Sequence, residues 1–240
     1  MKDFARFALA LLLTACATAN AQEGQTPSAH STMAPIGQYL MRSAAAEIAL
    51  ARSAAPPSIG DHAEVLVLGK HGYYVAAKGT NGFVCFVGRQ WFSSEFSNAL
   101  FWSPKTRGPE CMNPPAARSV LPQFLARTKW VLAGATLQQL IAKTKAAFAS
   151  HRFATPAPAS FSFMLSHQQY FAAADGPWLP HVMPYVPHGQ AAQWGAGLPG
   201  SPVLGGEGSP YLPTVLYIPV RRWSDGSPAP SPPPMDHHKM

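Results

Sequence analysis

Three short runs dense in valine, leucine and aromatic residues stand out: Glu64 to Gly69, His71 to Lys78 and Phe83 to Gly88. Gly69-Lys70 and Gly79-Thr80-Asn81-Gly82 separate them, and glycine and asparagine supply the positive φ angles that tight turns need. The pattern predicts a three-stranded antiparallel meander. Before it, Ile36, Tyr39, Leu40, Ile48 and Ala51 approximate one helical face in an alanine-rich stretch that ends at Pro56-Pro57. Glu47 within that stretch reads as a solvated or paired surface charge. After the meander, Trp91, Phe92, Phe96, Phe101 and Trp102 lack a clean period and are expected to pack as a satellite cluster under a loop at 103–115, with an aromatic-lined groove as the alternative.

Two further helices have start signals. Asn113-Pro114-Pro115 is a cap with proline in the first turn, leading into Ala116 to Leu121, after which Pro122 kinks or restarts the helix. Thr136-Leu137-Gln138-Gln139 has capping-box form, and Leu137, Leu140, Ile141, Thr144 and Phe148 follow a helical stripe. Ser160 to Leu165 and Pro213 to Val220 read as strands, and Gly195 to Gly208 as a glycine-rich loop without a phosphate-cradling pattern.

The stretch from Trp178 to His188 concentrates aromatic rings, two histidines and a methionine. As a strand it places Leu179, His181, Met183 and Tyr185 on one face and His188 on the other. Pro180 and Pro184 share a parity, so their missing N–H groups fall on one edge, which predicts an edge strand or a strand end. His181, Met183 and Tyr185, with Met164 and His167 near the end of the neighbouring predicted strand, form the candidate site. Imidazole and thioether ligands suit copper, the only cofactor the residues suggest.

The expected architecture is α+β: an antiparallel sheet with two or three helices packed on one side, and long loops, since 25 prolines and 19 glycines accompany only 12% charged residues. The first residues carry a weak positive excess before an apolar run, Phe7 to Leu13, too short to span a bilayer, as secretory signals do. Cleavage after Ala21 and lipoprotein processing before Cys16 compete. Residues 22–35 then read as a polar linker, 36–223 as one globular domain, and 224–240 as a disordered proline-rich tail. Besides Cys16 only Cys85 and Cys111 remain, and in an oxidising compartment such a pair reads as a disulfide. The net charge of +7 favours anionic surfaces, while nothing resembles a nucleic-acid module.

No Gly-x-Ser-x-Gly elbow, zinc spacing or phosphate loop occurs. Asn81-Gly82-Phe83-Val84-Cys85, Pro109-Glu110-Cys111-Met112-Asn113-Pro114-Pro115 and Leu198-Pro199-Gly200-Ser201-Pro202-Val203 together resemble an uncharacterised family of exported bacterial proteins. The resemblance covers most of the mature chain and implies export and a single domain, but brings no activity or catalytic residues. The expectation is therefore a periplasmic or outer-membrane-attached protein with a non-enzymatic binding or structural role. Its partners would be a small molecule or envelope component, and the membrane surface through a lipid at Cys16. A periplasmic hydrolase or other enzyme centred on His181, and a His/Met copper-binding protein, are the alternatives.

Overall fold

A computed structural model describes residues 28, 30–171 and 179–230. The chain is α+β, as its pattern implies. Its strands are β1 (Glu64–Gly69), β2 (Gly72–Ala77), β3 (Val84–Gly88), β4 (Gly108–Met112), β5 (Phe161–Met164), β6 (His181–Val186), β7 (Thr214–Val215) and β8 (Ile218–Pro219). They form one sheet in the order β2-β1-β3-β4-β5-β6-β7, with β8 also on β6. The helices are α1 (Ala44–Arg52), α2 (Pro57–Gly60), α3 (Pro114–Ser119), α4 (Leu121–Leu132) and α5 (Leu137–Ala149).

The expected meander is corrected at its third strand. β1 and β2 form the antiparallel hairpin, but β3 pairs with β1 in parallel, Val65 opposite Cys85, so the sheet is mixed rather than wholly antiparallel. Burial explains the order. β2 leaves Tyr74 and Val75 about half exposed, as an outermost strand can, whereas β1 and β3 are apolar on both faces and require central positions. The connection passes so close to the start of β1 that a Cβ on Gly79 would lie 2.1 Å from the Glu64 nitrogen.

Helices cover both faces of the sheet, not one. Val65, Val67, Cys85, Val87 and Cys111 pack with Leu50 and Ala51 of α1, while the alternate residues Leu66, Leu68, Phe86 and Met112 pack with Phe124, Val131 and Leu140 of α4 and α5. The cap signals are realised: the Asn113 side chain accepts from the Ala116 N–H, and Thr136 and Gln139 complete a capping box. The first helix is shorter than its alanine-rich stretch, starting at an N-cap on Ser43.

The loop expected over 103–115 contains β4, buried throughout. Pro109 is tolerated there because odd-numbered N–H groups of this segment point towards β5: Arg107 donates to Tyr170 (2.8 Å) and Asn113 to Phe161 (3.0 Å), while β5 pairs only Cys111 and Met112. The aromatic residues that follow β3 join the main core instead of a satellite cluster; Trp91 and Phe101 are fully buried.

β6 is an interior strand, pairing β5 on one side and β7 and β8 on the other. The proline parity still leaves its mark. Pro180 and Pro184 both turn towards β7 and β8, accepting from Val220 (2.8 Å) and Leu216 (3.0 Å) but donating nothing, and the strand expected over 213–220 is broken there into two short pieces. Residues 224–230, expected as part of the disordered tail, are held by bonds such as Ser224 N–H to the Leu165 carbonyl (2.9 Å) and Ala229 N–H to Arg221 (2.8 Å). Cys16, both cleavage sites and residues 231–240 lie outside the described residues. Among the described residues, no helix is long and apolar enough to cross a membrane.

Candidate functional site

Two glycines face each other in the β3–β4 ladder, Gly88 opposite Gly108. By strand alternation both share the face of Phe86, Glu110 and Met112, the face that α4 and α5 cover. Omitting two neighbouring side chains from a packed face leaves space, and a cavity of about 330 Å³ stands there. Its walls come from the chain following β3, from Phe124 of α4, and from Met164, Phe171, Met183 and Tyr185. A Cβ on Gly108 would point into it, 3.2 Å from the end of Phe171 and 3.4 Å from the end of Met164. Neither glycine needs a positive φ; a Cβ on Gly88 would lie 3.2 Å from the Gly108 carbonyl oxygen and 3.3 Å from Phe92, so the pair lets its neighbours approach the sheet closely and brings no side chain to the cavity floor.

The cavity is mainly apolar with a few polar groups. Glu110, 5% exposed, accepts a short hydrogen bond from the Tyr185 hydroxyl, which also lies 3.0 Å from Ser162 Oγ. Burial pushes the Glu110 carboxyl up to about 7, against the opposing effect of its bonds to Tyr185 and Ser162. Tyr217 is pushed up to about 12 and Tyr185 well above its ordinary value, again chiefly by burial. Thr106 also lines the cavity, and its buried hydroxyl has no hydrogen-bond partner among the described residues. The cavity thus holds one carboxyl able to gain or lose a proton near neutrality, a neutral phenol bonded to it, and an unused hydroxyl.

Arg89 borders the same space but is fully committed. Its Nε and Nη2 donate to the Tyr39 carbonyl (3.0 and 2.9 Å), its Nη1 to the Val87 carbonyl, and its Nη2 to Glu47 Oε1 (3.1 Å). Glu47 also accepts from the Leu68 N–H (3.3 Å). The expected surface charge at Glu47 is therefore a buried ion pair, with side chains 1% or less exposed.

The structure brings together only part of the predicted site. Met164, Met183 and Tyr185 line the cavity; His181, on the same strand face and opposite Met164 in the ladder, does not. It is buried, its Nδ1 donates to the Leu179 carbonyl (2.8 Å), its ring meets Tyr217 edge-on, and burial lowers its pKa. His167 is remote, half-exposed and stacked on Trp223, with Nε2 2.9 Å from Ser227 Oγ and 3.4 Å from Asp225 Oδ2. Trp178 lies outside the described residues. Among the described residues no group of three histidine, cysteine, aspartate or glutamate side chains is placed to hold a metal ion. Sequence reasoning missed Gly88, Gly108 and Glu110. Glycines inside an apolar strand were the available signal for the first, since such positions often mark close approach of a ligand.

The Glu110 shift fixes the sign of a pH effect. A carboxyl whose folded pKa lies above its unfolded value of 4.5 binds its proton more tightly in the folded state, so its favourable contribution is complete below that value and lost as pH rises through about 7. Glu110→Gln, which keeps the shape without the charge, is expected to match the parent near pH 4 and exceed it by roughly 3 kcal/mol at pH 8. Urea unfolding across this range measures the difference; a constant offset would contradict a buried, neutral Glu110.

A second depression opens beside the cavity and shares Ser94, Glu95, Val215 and Tyr217 with it; its far wall is the loop Gly205 to Ser209. Glu207 anchors that loop, accepting from the N–H groups of Gly189 (2.9 Å) and Ala191 (2.6 Å) and from the Thr214 hydroxyl, with His188 Nδ1 at 3.3 Å. Bonds to Thr214, Ala191 and Gly189 hold its carboxyl below the ordinary range. Comparisons with protein-family models, with curated proteins and with solved structures found no match to this chain.

Proposed function

We propose that the protein is an exported, non-enzymatic domain that binds a small organic molecule in the cavity beside Glu110. The observation that carries this reading is the cavity itself, lined by Gly88 and Gly108, which bring no side chains to it, in a core otherwise filled by large side chains. A volume of about 330 Å³, apolar walls and a few convergent polar groups suit a small ligand. Export is supported by the amino-terminal pattern of charge and apolar residues and by the Cys85–Cys111 disulfide, which belongs to an oxidising compartment. In this reading the leader is removed after Ala21, or the chain is tethered by lipid at Cys16.

Mass spectrometry of protein purified from its native envelope tests both parts. The amino terminus should be Gln22 or an acylated Cys16, and a small molecule should accompany the folded chain. Gly108→Val places methyl groups in the cavity on a strand that accepts β-branched residues. It is expected to fold, because the neighbours it meets are flexible side-chain ends, and to lose the molecule. Equal occupancy in parent and variant would contradict the location, and an unprocessed leader would contradict export.

A second reading draws on one observation. A carboxyl with a pKa of about 7 beside a phenol is suited to general acid–base catalysis, so an enzyme built on this cavity would use Glu110 rather than His181, which does not line it. Turnover of the co-purifying molecule, abolished in Glu110→Gln, would favour it.

A further inference from the structure

We propose that the cavity is selective for a small organic cation, an ammonium group carried on an apolar or aromatic body, with Glu110 as its counter-charge. This rests on the binding reading above and specifies the class of ligand.

Charge and geometry point the same way. The chain is basic, with 18 lysines and arginines against 11 acidic residues, yet carboxylates mark the route inward. Glu95 stands exposed where cavity and outer depression meet, Glu207 lies in the outer wall, and Glu110 lies within. Arg89 is the only lysine or arginine lining either space among the described residues, and its charge and donors are taken up by Glu47, Tyr39 and Val87. An entering anion would find no uncommitted cation. An entering ammonium would find a carboxyl in a low-dielectric site, where opposite charges attract strongly, in a wall that includes the aromatic rings of Phe92, Phe124, Phe171 and Tyr217.

The unpartnered Thr106 hydroxyl is the independent sign of a missing ligand atom. It is 1% exposed and borders the cavity, where an oxygen acceptor can take an ammonium N–H. The apolar remainder, with Met164 and Met183, accommodates the body of the ligand through contacts that adapt to shape.

Binding a cation favours ionised Glu110, so the complex is linked to release of the carboxyl proton. The other titratable and charged groups around Glu110 do not obscure this: Tyr73, Tyr185 and Tyr217 are all raised by burial and stay neutral, Arg89 is paired with Glu47, Arg107 donates to the Pro104 and Thr106 carbonyls, and Glu95 stands at the exposed mouth. Ammonium affinity should therefore fall below about pH 7, approaching tenfold per pH unit where Glu110 is largely protonated.

The test is calorimetric titration of the full-length protein with phenethylammonium, phenethyl alcohol and phenylacetate, three probes of similar size and different charge. At pH 8 the ammonium is expected to bind at least ~10-fold more tightly than the alcohol, with phenylacetate weakest. Glu110→Gln should abolish the ammonium preference and its pH dependence while retaining the alcohol. Equal binding of ammonium and alcohol by the parent, or an ammonium preference that survives in Glu110→Gln, overturns the proposed selectivity and leaves the cavity as a neutral site. Absence of binding by all three probes overturns both the selectivity and the use of this cavity for small molecules of this size. Thermal unfolding of the variant confirms that altered binding does not arise from misfolding.

Discussion

Glu47→Ala is expected to destabilise the protein by about 3–5 kcal/mol, because it leaves the Arg89 guanidinium buried without its counter-charge. Glu47 reaches from α1 to the end of β3, where it joins the Arg89 side chain to the Leu68 amide and so ties helix to sheet. The two carbonyls that Arg89 also contacts accept its hydrogen bonds but carry no net charge to offset it. The lost pair has a further consequence. Arg89 lines the cavity, so an uncompensated guanidinium there should weaken binding of a cationic probe. Denaturant unfolding at pH 7 measures the stability loss, and Glu47→Ala combined with Arg89→Leu should recover much of it. A single-variant loss below about 1 kcal/mol would show that the pair is not closed off from solvent.

Removing the disulfide by Cys85→Ala with Cys111→Ala is expected to cost about 3.5 kcal/mol, the denatured-state entropy of closing a loop between residues 26 apart. The half-cystines face each other directly across β3 and β4 and are fully buried on the α1 side. On the opposite side of these strands stand Gly88, Gly108 and Glu110. A covalent clamp at this place fixes the two strands whose other face carries no side chain at the facing pair Gly88 and Gly108. The loss should appear in urea unfolding under oxidising conditions, and the variant should also bind phenethylammonium less tightly. Unchanged stability would mean that the denatured chain remains compact without the bridge.

How far the sequence carried this picture depended on whether a feature was local. The capping box at Thr136, the Asn113 cap, the hairpin at Gly69-Lys70 and the face shared by His181, Met183 and Tyr185 all follow from short-range geometry, and all are present. The parallel pairing of β3 with β1 and the interior position of β6 depend on which strands need two covered faces, a property of the whole sheet. Proline parity correctly locates the weakened edge of β6, but not the two short strands that cover it. In the candidate site, Met164, Met183 and Tyr185 could be found because they lie on strands with clear alternation. Glu110 could not, because Gly108 and Pro109 disguise β4 as loop. Its environment arises from Phe92, Phe171 and Tyr185, which lie far from it in sequence.

A crystal structure of the protein with phenethylammonium would show where the cation sits. Density for the probe is expected in the space above Gly88 and Gly108, with its nitrogen within hydrogen-bond reach of Glu110, and is expected to be absent from Gly108→Val. A cavity filled by its own side chains, or a probe bound only elsewhere, would contradict it.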